Sequence, residues 1–198
     1  MIQTMSIPAR KATADDLRAA YGEDGRAEVI HGEILEKAAP RVEHSTSANY
    51  LFTALSRRFD RRPGGKWPGG WWLLPELHVE YETHEVFCHD GVGYRRDTHG
   101  PIPRVWPVPV RPDWVCELVS PGHEKRDLVD KWHVLHRNRV PHYWIVNPEE
   151  KLLRVHRWTP DGYTCVLAAT SGDVVRAEPF NAVELRAAVV FGDDDDDE

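Results

Sequence analysis

One acidic residue of this sequence lies where acidic residues are costly. Glu117 occurs in the middle of the apolar run W-V-C-E-L-V at 114–119, and such a run is typical of a buried strand. A buried carboxylate destabilises a protein unless it is paired with a cation or binds a metal ion. The sequence therefore predicts that Glu117 either binds a metal ion or belongs to a buried ion pair. The residues that partner it must come from elsewhere in the chain.

A divalent ion at Glu117 would need a second carboxylate. Asp113 shares a strand face with Glu117, but four extended residues place it about 13 Å away. That distance is too long for one ion, whose oxygen ligands lie within about 2.0–2.6 Å. A neighbouring strand is only about 4.8 Å to the side, and the preceding apolar segment supplies Asp90. The alternative interpretation of Asp90 is a turn residue beside Gly91.

Lys131 lies in an amphipathic segment that follows the Glu117 strand and is predicted to be helical. Its side chain would reach back over the C-terminal end of that strand. An ammonium group there can orient a water molecule or stabilise negative charge that develops on a phosphoryl group. The alternative is an ordinary helix lysine paired with Asp127, four residues earlier.

Other candidate residues carry weaker signals. Glu76 precedes the alternating part of a predicted strand and is a candidate for a further metal ligand, while Glu33 and His44 are candidate accessory residues. The eleven histidines show no H-E-x-x-H spacing. The sequence also has no G-x-x-x-x-G-K-[ST], G-x-G-x-x-G or G-x-S-x-G motif, which argues against a P-loop nucleotidase, a dinucleotide-binding protein and a serine hydrolase.

Length and composition predict one globular domain. The chain has 198 residues, of which 41% are hydrophobic and 29% charged, enough for a single core. Disorder is predicted for residues 1–12 and for the acidic tail 191–198, with a single domain over 13–190. The formal charge is −7, but without the six acidic residues of 193–198 the body has 25 basic and 26 acidic residues. The tail is therefore a separate feature of a nearly neutral body.

The sequence favours a cytoplasmic location. It has no apolar run of 18 residues, as a membrane-spanning helix would need, and its N-terminus lacks the pattern of a secretory signal. Its three cysteines are far apart in sequence and lack C-x-x-C spacing. We expect reduced thiols, no structural zinc and no membrane partner.

The elements that must position these residues alternate between strands and helices, which predicts a mixed α/β fold. The first half is predicted to contain a hairpin at 27–36, a helix at 43–62, strands at 71–81 and 86–96, and an exposed proline-rich loop at 98–109. A strand-turn-helix-strand unit follows at 111–144, with its turn at 120–122. Strands at 152–158 and 163–168 and a short edge strand within 174–185 complete the predicted order.

Three segments together resemble the Uma-two family, a branch of the PD-(D/E)XK nuclease superfamily. They are R-P-D-W-V-C-E-L-V-S-P at 111–121, D-L-V-D-K at 127–131 and V-P-H-Y-W-I-V-N-P at 140–148. The resemblance extends to H-G-E-I-L-E at 31–36 and H-D-G-V-G-Y-R-R-D at 89–97, and it covers about residues 13–187. It implies a restriction-endonuclease-like central mixed sheet flanked by helices, with Asp90 and Glu117 as metal ligands and Lys131 as the catalytic lysine.

The sequence departs from the family pattern at two positions. His89 stands before Asp90, where the family usually has proline, and Val119 occupies the position of the lysine in the usual E-x-K motif. The family resemblance implies that the lysine has moved into the helix. Lys131 is then the candidate and Lys125 its rival.

These residues predict an endonuclease that hydrolyses DNA phosphodiester bonds with Mg²⁺ or Mn²⁺. Asp90, Glu117 and the backbone carbonyl of Leu118 would hold the metal, and Glu76 would support a second ion. A homodimer would suit a double-strand cut, by analogy only. One alternative is a catalytically silent module that binds nucleic acid or protein. Another is that the charges are structural, with Glu117 paired to an arginine such as Arg95.

Overall fold

A mixed β-sheet with helices on both faces makes up the part of the chain that the computed structural model describes, residues 10–119 and 125–194. The predicted turn at 120–122 lies outside these residues, as do 1–9 and 195–198 of the predicted disordered ends. The helices are α1 (Ala14–Tyr21), α2 (Val42–Phe59), α3 (Lys131–Arg137) and α4 (Ala187–Phe191), and a π-helical turn (Arg126–Asp130) leads directly into α3.

The strands agree closely with those predicted from the hydrophobic pattern. They are β1 (Ala27–Ile30), β2 (Glu33–Glu36), β3 (Trp71–Glu82), β4 (Glu85–Arg95), β5 (Trp114–Leu118), β6 (His142–Asn147), β7 (Leu152–Thr159), β8 (Gly162–Thr170), β9 (Val174–Val175) and β10 (Leu185–Arg186). Within the described residues, eight of them form one sheet in the order β2-β1-β4-β5-β6-β7-β8, and β3 also pairs with β4. The predicted mixed sheet flanked by helices is therefore confirmed.

The strand-helix-strand unit explains why this sheet is mixed. β5 and β6 are parallel because α3 carries the chain back across the sheet between them. The other paired strands of the large sheet are antiparallel. The π-helical turn shifts the start of α3, so that Lys131 is the first residue of the α-helix.

Both faces of β5 are buried, and this explains its unbroken apolar sequence. Trp114, Cys116 and Leu118 belong to the core cluster that includes residues of α2 and α4. Val115, on the opposite face, belongs to a second cluster that includes Val134 of α3. Helices therefore cover the central strands on both sides, and a charged side chain in β5 has to find its partner inside the protein.

Gly91 allows α2 to pack closely on β4. A Cβ atom at this position would lie 2.1 Å from Cζ of Phe52, and only glycine leaves room for that ring. The contact fixes α2 against the strand that carries Asp90. The predicted interpretation of Asp90 as a strand residue, rather than a turn residue, agrees with its place inside β4.

Other boundaries differ from the predicted ones. α2 ends at Phe59, three residues before the predicted end at Arg62. The loop predicted to be exposed at 98–109 is buried at residues 107 and 108, where Val108 forms backbone hydrogen bonds with His78 and Glu80 of β3. Among the described residues, no helix combines the length and apolar character needed to cross a membrane.

The described residues at the two ends contact the sheet domain. At the N-terminal end, the N–H of Ala12 donates a hydrogen bond to the carbonyl of Gly32. At the C-terminal end, Phe191 lies within α4, and the carboxylate of Asp193 forms an ion pair with Lys151. The described chain is therefore hydrogen-bonded or ion-paired on both sides of the predicted boundaries at 13 and 190.

Candidate functional site

The two carboxylates singled out in the sequence lie side by side where β4 and β5 separate. The antiparallel ladder pairs Gly91 with Cys116 and ends there. One further step along each strand leads to Asp90 and Glu117. The N–H of Leu118 donates a 2.7 Å hydrogen bond to Oδ2 of Asp90, so a side chain takes the place of the missing ladder bond. The end of the ladder therefore opens a gap that contains both carboxylates.

Asp90 is buried and surrounded by hydrogen-bond donors. Nζ of Lys37 lies 2.7 Å from its Oδ1, and Nε2 of His44 lies 3.4 Å from its Oδ2. Burial alone would raise the pKa of Asp90, but the ammonium of Lys37 and the hydrogen bond with His44 outweigh it and hold the pKa well below its usual range. Asp90 is therefore ionised, as a metal ligand must be.

Glu117 is equally buried and has different partners. Its Oε1 accepts hydrogen bonds from Nζ of Lys131, at 2.9 Å, and from Nδ1 of His89. Its Oε2 lies 4.0 Å from Nζ of Lys37. Burial raises the pKa of Glu117, although the two ammonium groups act in the opposite direction. A further cation at Oε2 would favour the ionised form.

His89 orients Glu117 as a neutral imidazole. Burial, assisted by the charge of Lys131, lowers the pKa of His89 well below its ordinary value. A neutral ring with a proton on Nδ1 donates to Glu117, and its Nε2 then accepts a 2.8 Å hydrogen bond from the hydroxyl of Tyr81. The departure from proline at this position therefore gives the Glu117 carboxylate a fixed donor.

Lys131 is completely buried and contacts three carboxylates. Its Nζ lies 2.7 Å from Glu28, 2.9 Å from Glu117 and 3.3 Å from Asp127. The predicted alternative, a pair with Asp127 at i−4, is thus present together with the contact to Glu117. The rival Lys125 is exposed and pairs with Asp130 instead. Of the two candidate lysines, the structure brings only Lys131 to Glu117.

These groups line a small cleft with a volume of about 30 Å³. The space suffices for roughly one or two water molecules or a single ion. Its lining includes four carboxylates and four side chains with positive charge. The carboxylates are Glu28, Asp90, Glu117 and Asp127, and the cations are Arg26, Lys37, Arg126 and Lys131. The formal charge of the lining is therefore balanced, apart from His44.

Other predicted residues lie outside this cleft. Glu76 pairs with Arg26 at 3.2 Å and is almost half exposed, and Glu33 is an exposed residue of β2. Arg95 pairs with Asp97, so the predicted pairing of Glu117 with this arginine is wrong. The carboxylate of Asp113 accepts a hydrogen bond from the backbone of Arg95 instead of approaching the cleft.

Sequence reasoning missed two important members of the cleft. Glu28 lies in the buried strand A-E-V-I, where its charge gives the same signal that singled out Glu117. Lys37 follows the last residue of β2, and its local sequence gives no comparable signal. It reaches Asp90 because β1 pairs with both β2 and β4, and this non-local pairing is not evident from the hairpin sequence.

Comparison with known proteins assigns the chain to a family and identifies a solved structure of similar fold. The sequence matches the family described as "Uma2: Putative restriction endonuclease" over residues 14–189, and the chain belongs to this family. Its fold resembles the crystal structure of a protein from Anabaena variabilis described as a putative nuclease belonging to DUF820. The TM-score is 0.69 at 18% identity, over 91% of this chain and 97% of the other. No curated protein matches the sequence.

The cleft fits a hard divalent ion that is completed by other oxygen ligands. Among residues 10–119 and 125–194, no group of three or more His, Cys, Asp or Glu side chains is arranged as a metal site. Mg²⁺, however, is usually held by one or two carboxylates together with water and substrate phosphate. Asp90 and Glu117 supply two such carboxylates, and both lie within 4.0 Å of the Lys37 ammonium. Oε2 of Glu28 is also buried without a hydrogen-bond partner.

Proposed function

We propose that this protein is an endonuclease that hydrolyses DNA phosphodiester bonds with Mg²⁺ or Mn²⁺. The observation that carries the proposal is the pair of buried carboxylates, Asp90 and Glu117, at the point where β4 and β5 diverge. Membership of the Uma2 family supports a nuclease activity. The choice of DNA and of the metal is inferred from the family resemblance and from the oxygen ligands.

Each member of the cleft has a proposed task. Asp90 and Glu117, with the backbone carbonyl of Leu118, would hold the metal, which when bound polarises the phosphoryl oxygen and lowers the pKa of an attacking water. Lys131 is the proposed catalytic lysine, which would position the water or neutralise developing charge, and its buried ion pairs hold the carboxylates of Glu117 and Glu28 in place. His44 orients Asp90.

Glu76 is not part of the proposed ligand set. Its carboxylate is not part of the cleft lining, and it pairs with Arg26 at the edge of the cleft. Glu28 takes its place as the candidate for a further ligand, because it lines the cleft and its buried Oε2 has no hydrogen-bond partner, with the guanidinium of Arg126 3.7 Å away.

Cleavage assays test this function directly. Supercoiled, linear duplex, single-stranded and branched DNA would be incubated with wild type, Asp90→Asn and Glu117→Gln, in Mg²⁺, in Mn²⁺ and in chelator. We expect cleavage by wild type only with metal, and a loss of at least about 100-fold in each variant, since loss of metal polarisation costs several kcal/mol. Glu184→Gln is the matched control, because this carboxylate is exposed and pairs with Arg176 away from the cleft. Equal cleavage by all four proteins would refute the assignment.

The balanced charge of the cleft favours a second candidate, a catalytically silent binding module. Lys37 already neutralises Asp90, so the site is electrostatically complete without metal. A nucleic-acid-binding module would bind DNA with an affinity that falls steeply with salt, without cleaving it. A protein-binding module would show no such salt dependence. Cleavage therefore separates the nuclease from both modules, and salt-titrated DNA binding separates the nucleic-acid-binding module from the protein-binding one.

The proposed setting is the cytoplasm, and a homodimer would suit double-strand cleavage. The described cysteines, Cys88, Cys116 and Cys165, are all free thiols, which agrees with a reducing compartment. Sedimentation of the protein with and without duplex DNA would test the dimer.

A further inference from the structure

One positive charge lies between the two carboxylates that are proposed to hold the metal. Nζ of Lys37 is 2.7 Å from Oδ1 of Asp90 and 4.0 Å from Oε2 of Glu117. It also donates a 2.7 Å hydrogen bond to the carbonyl of Cys88. A divalent ion that used both carboxylates would need the same space, because its ligands lie at about 2.0–2.6 Å.

Position, and not volume, prevents joint occupancy. The volume of about 30 Å³ that remains beside the existing side chains could hold a single ion, but the Lys37 ammonium occupies the place next to both carboxylates. An ion placed next to both carboxylates would also lie within a few ångströms of the Lys37 ammonium, and like charges at that distance repel strongly. The formal charge of the lining also argues against joint occupancy. It is balanced already, so a divalent ion would leave an excess of positive charge unless a cation moves away.

Lys37 is better suited to leave than Lys131. The Lys131 side chain has no exposed surface and forms ion pairs with three carboxylates. The Lys37 side chain is 10% exposed, and its ammonium lies 2.7 Å from one carboxylate and 4.0 Å from a second. Lys37 therefore has fewer carboxylate partners to lose than Lys131, and part of its side chain is in contact with solvent.

We propose that Lys37 is a built-in counter-ion of the Asp90–Glu117 pair that a divalent cation must displace, so that this lysine sets the metal affinity of the site. The inference rests on the proposed metal-dependent function and adds a control on it. At low metal concentration the Lys37 ammonium occupies the position between the two carboxylates, and other cations do not bind there. At higher concentration the divalent cation displaces the ammonium.

Mn²⁺ titration by calorimetry tests the proposal with four full-length proteins. Lys37→Met removes the charge but keeps a chain of similar length, and it should bind Mn²⁺ about tenfold or more tightly than wild type. Lys37→Arg keeps the charge and should stay near wild type. Lys151→Met is the matched control, because this lysine is exposed and pairs with Asp193.

Thermal unfolding supplies a second readout that does not depend on activity. Without metal, Lys37→Met should melt at a lower temperature than wild type, because Asp90 and Glu117 lose a counter-ion. Saturating Mn²⁺ should raise its melting temperature more than that of wild type, because a ligand that binds only the folded state stabilises it by an amount that grows with the logarithm of the ligand concentration divided by Kd. Lys37→Gln replaces Lys37→Met in both measurements if the methionine variant does not fold.

The outcomes separate this inference from the proposed function. If Lys37→Met binds Mn²⁺ no more tightly than wild type while wild type cleaves DNA with metal, the inference is wrong and the function stands. If Lys37→Met binds more tightly but neither protein cleaves any DNA, Lys37 is a counter-ion in a site that is not a nuclease. If none of the proteins binds Mn²⁺, with or without DNA, both ideas fail.

Discussion

Replacing Lys131 with methionine should lower the free energy of unfolding by about 3–5 kcal/mol, because removal of one partner of a buried ion pair leaves the other charge uncompensated. Lys131 is among the largest fully buried side chains, and its ammonium contacts Glu28, Glu117 and Asp127. The methionine side chain has a similar volume, so the change removes charge without opening a large cavity.

The size of the stability loss within that range depends on how readily each of the three carboxylates takes up a proton once Lys131 is removed. Burial raises the pKa of Asp127 to about 7, so this group can take up a proton at little cost when its cation is removed. Glu28 behaves differently: burial would raise its pKa, but Lys131 and Lys37 together lower it. Most of the penalty should therefore come from Glu28. With a typical domain stability of about 5–15 kcal/mol, the variant should remain folded in most of that range.

Urea unfolding followed by fluorescence measures this loss, since the chain contains eight tryptophans. Lys125→Met is the matched control, because the Lys125 side chain is 79% exposed and its pair with Asp130 should contribute less than about 1 kcal/mol. The slope of unfolding free energy against urea should be unchanged in both variants, which shows that the same surface is exposed on unfolding.

A double-mutant cycle tests the proposed cause. Glu28→Gln removes the charge that Lys131 leaves uncompensated, so the Lys131→Met/Glu28→Gln protein should be more stable than the sum of the single losses predicts, by about 1–3 kcal/mol. The electrostatic reasoning is refuted if Lys131→Met loses no more stability than Lys125→Met, or if the two cleft substitutions are simply additive.

Two further predictions concern packing and exposure. Gly91→Ala should destabilise the protein by about 1–3 kcal/mol, because its Cβ would lie 2.1 Å from the Phe52 ring; Gly100→Ala, where a Cβ meets nothing within 4 Å, is the control in the same unfolding assay. Cys165 should be the one thiol of the described cysteines that a disulfide reagent titrates rapidly in the native protein, because the other two are buried. Rapid titration of three thiols without denaturant would contradict the burial of β4 and β5.

The central unit of the fold could be predicted because its signals are local. The run around Glu117 is apolar on both faces, the next segment has helical periodicity, and the run at 142–147 is again apolar. A strand, a helix and a strand of these lengths form a parallel pair in almost any sheet. Asp90 could be proposed because a residue on a neighbouring strand is close enough to share a metal ion with Glu117, although the sequence alone left a turn at Asp90–Gly91 open.

The remainder of the site depends on pairings that are not local. Lys37 reaches Asp90 only because β1 lies between β2 and β4, and the ladder between β1 and β4 is as short as one pair, Val29 with Val86. No sequence periodicity specifies that arrangement. Glu28 could have been found, since a carboxylate in a four-residue buried strand raises the same question as Glu117.

The cleft couples stability to function, and this affects how activity data can be interpreted. Each of the two proposed metal ligands is paired with a cation from another element: Asp90 of β4 with Lys37, which follows β2, and Glu117 of β5 with Lys131 of α3. Asp90→Asn keeps one oxygen as an acceptor but loses the other, and so breaks the contact with either Lys37 or the N–H of Leu118. Loss of cleavage in this variant is evidence for metal ligation only if its unfolding free energy stays close to that of wild type. If stability and cleavage fall together, the carboxylate acts first as a structural partner of Lys37, and the Mn²⁺ affinity then decides whether it also binds metal.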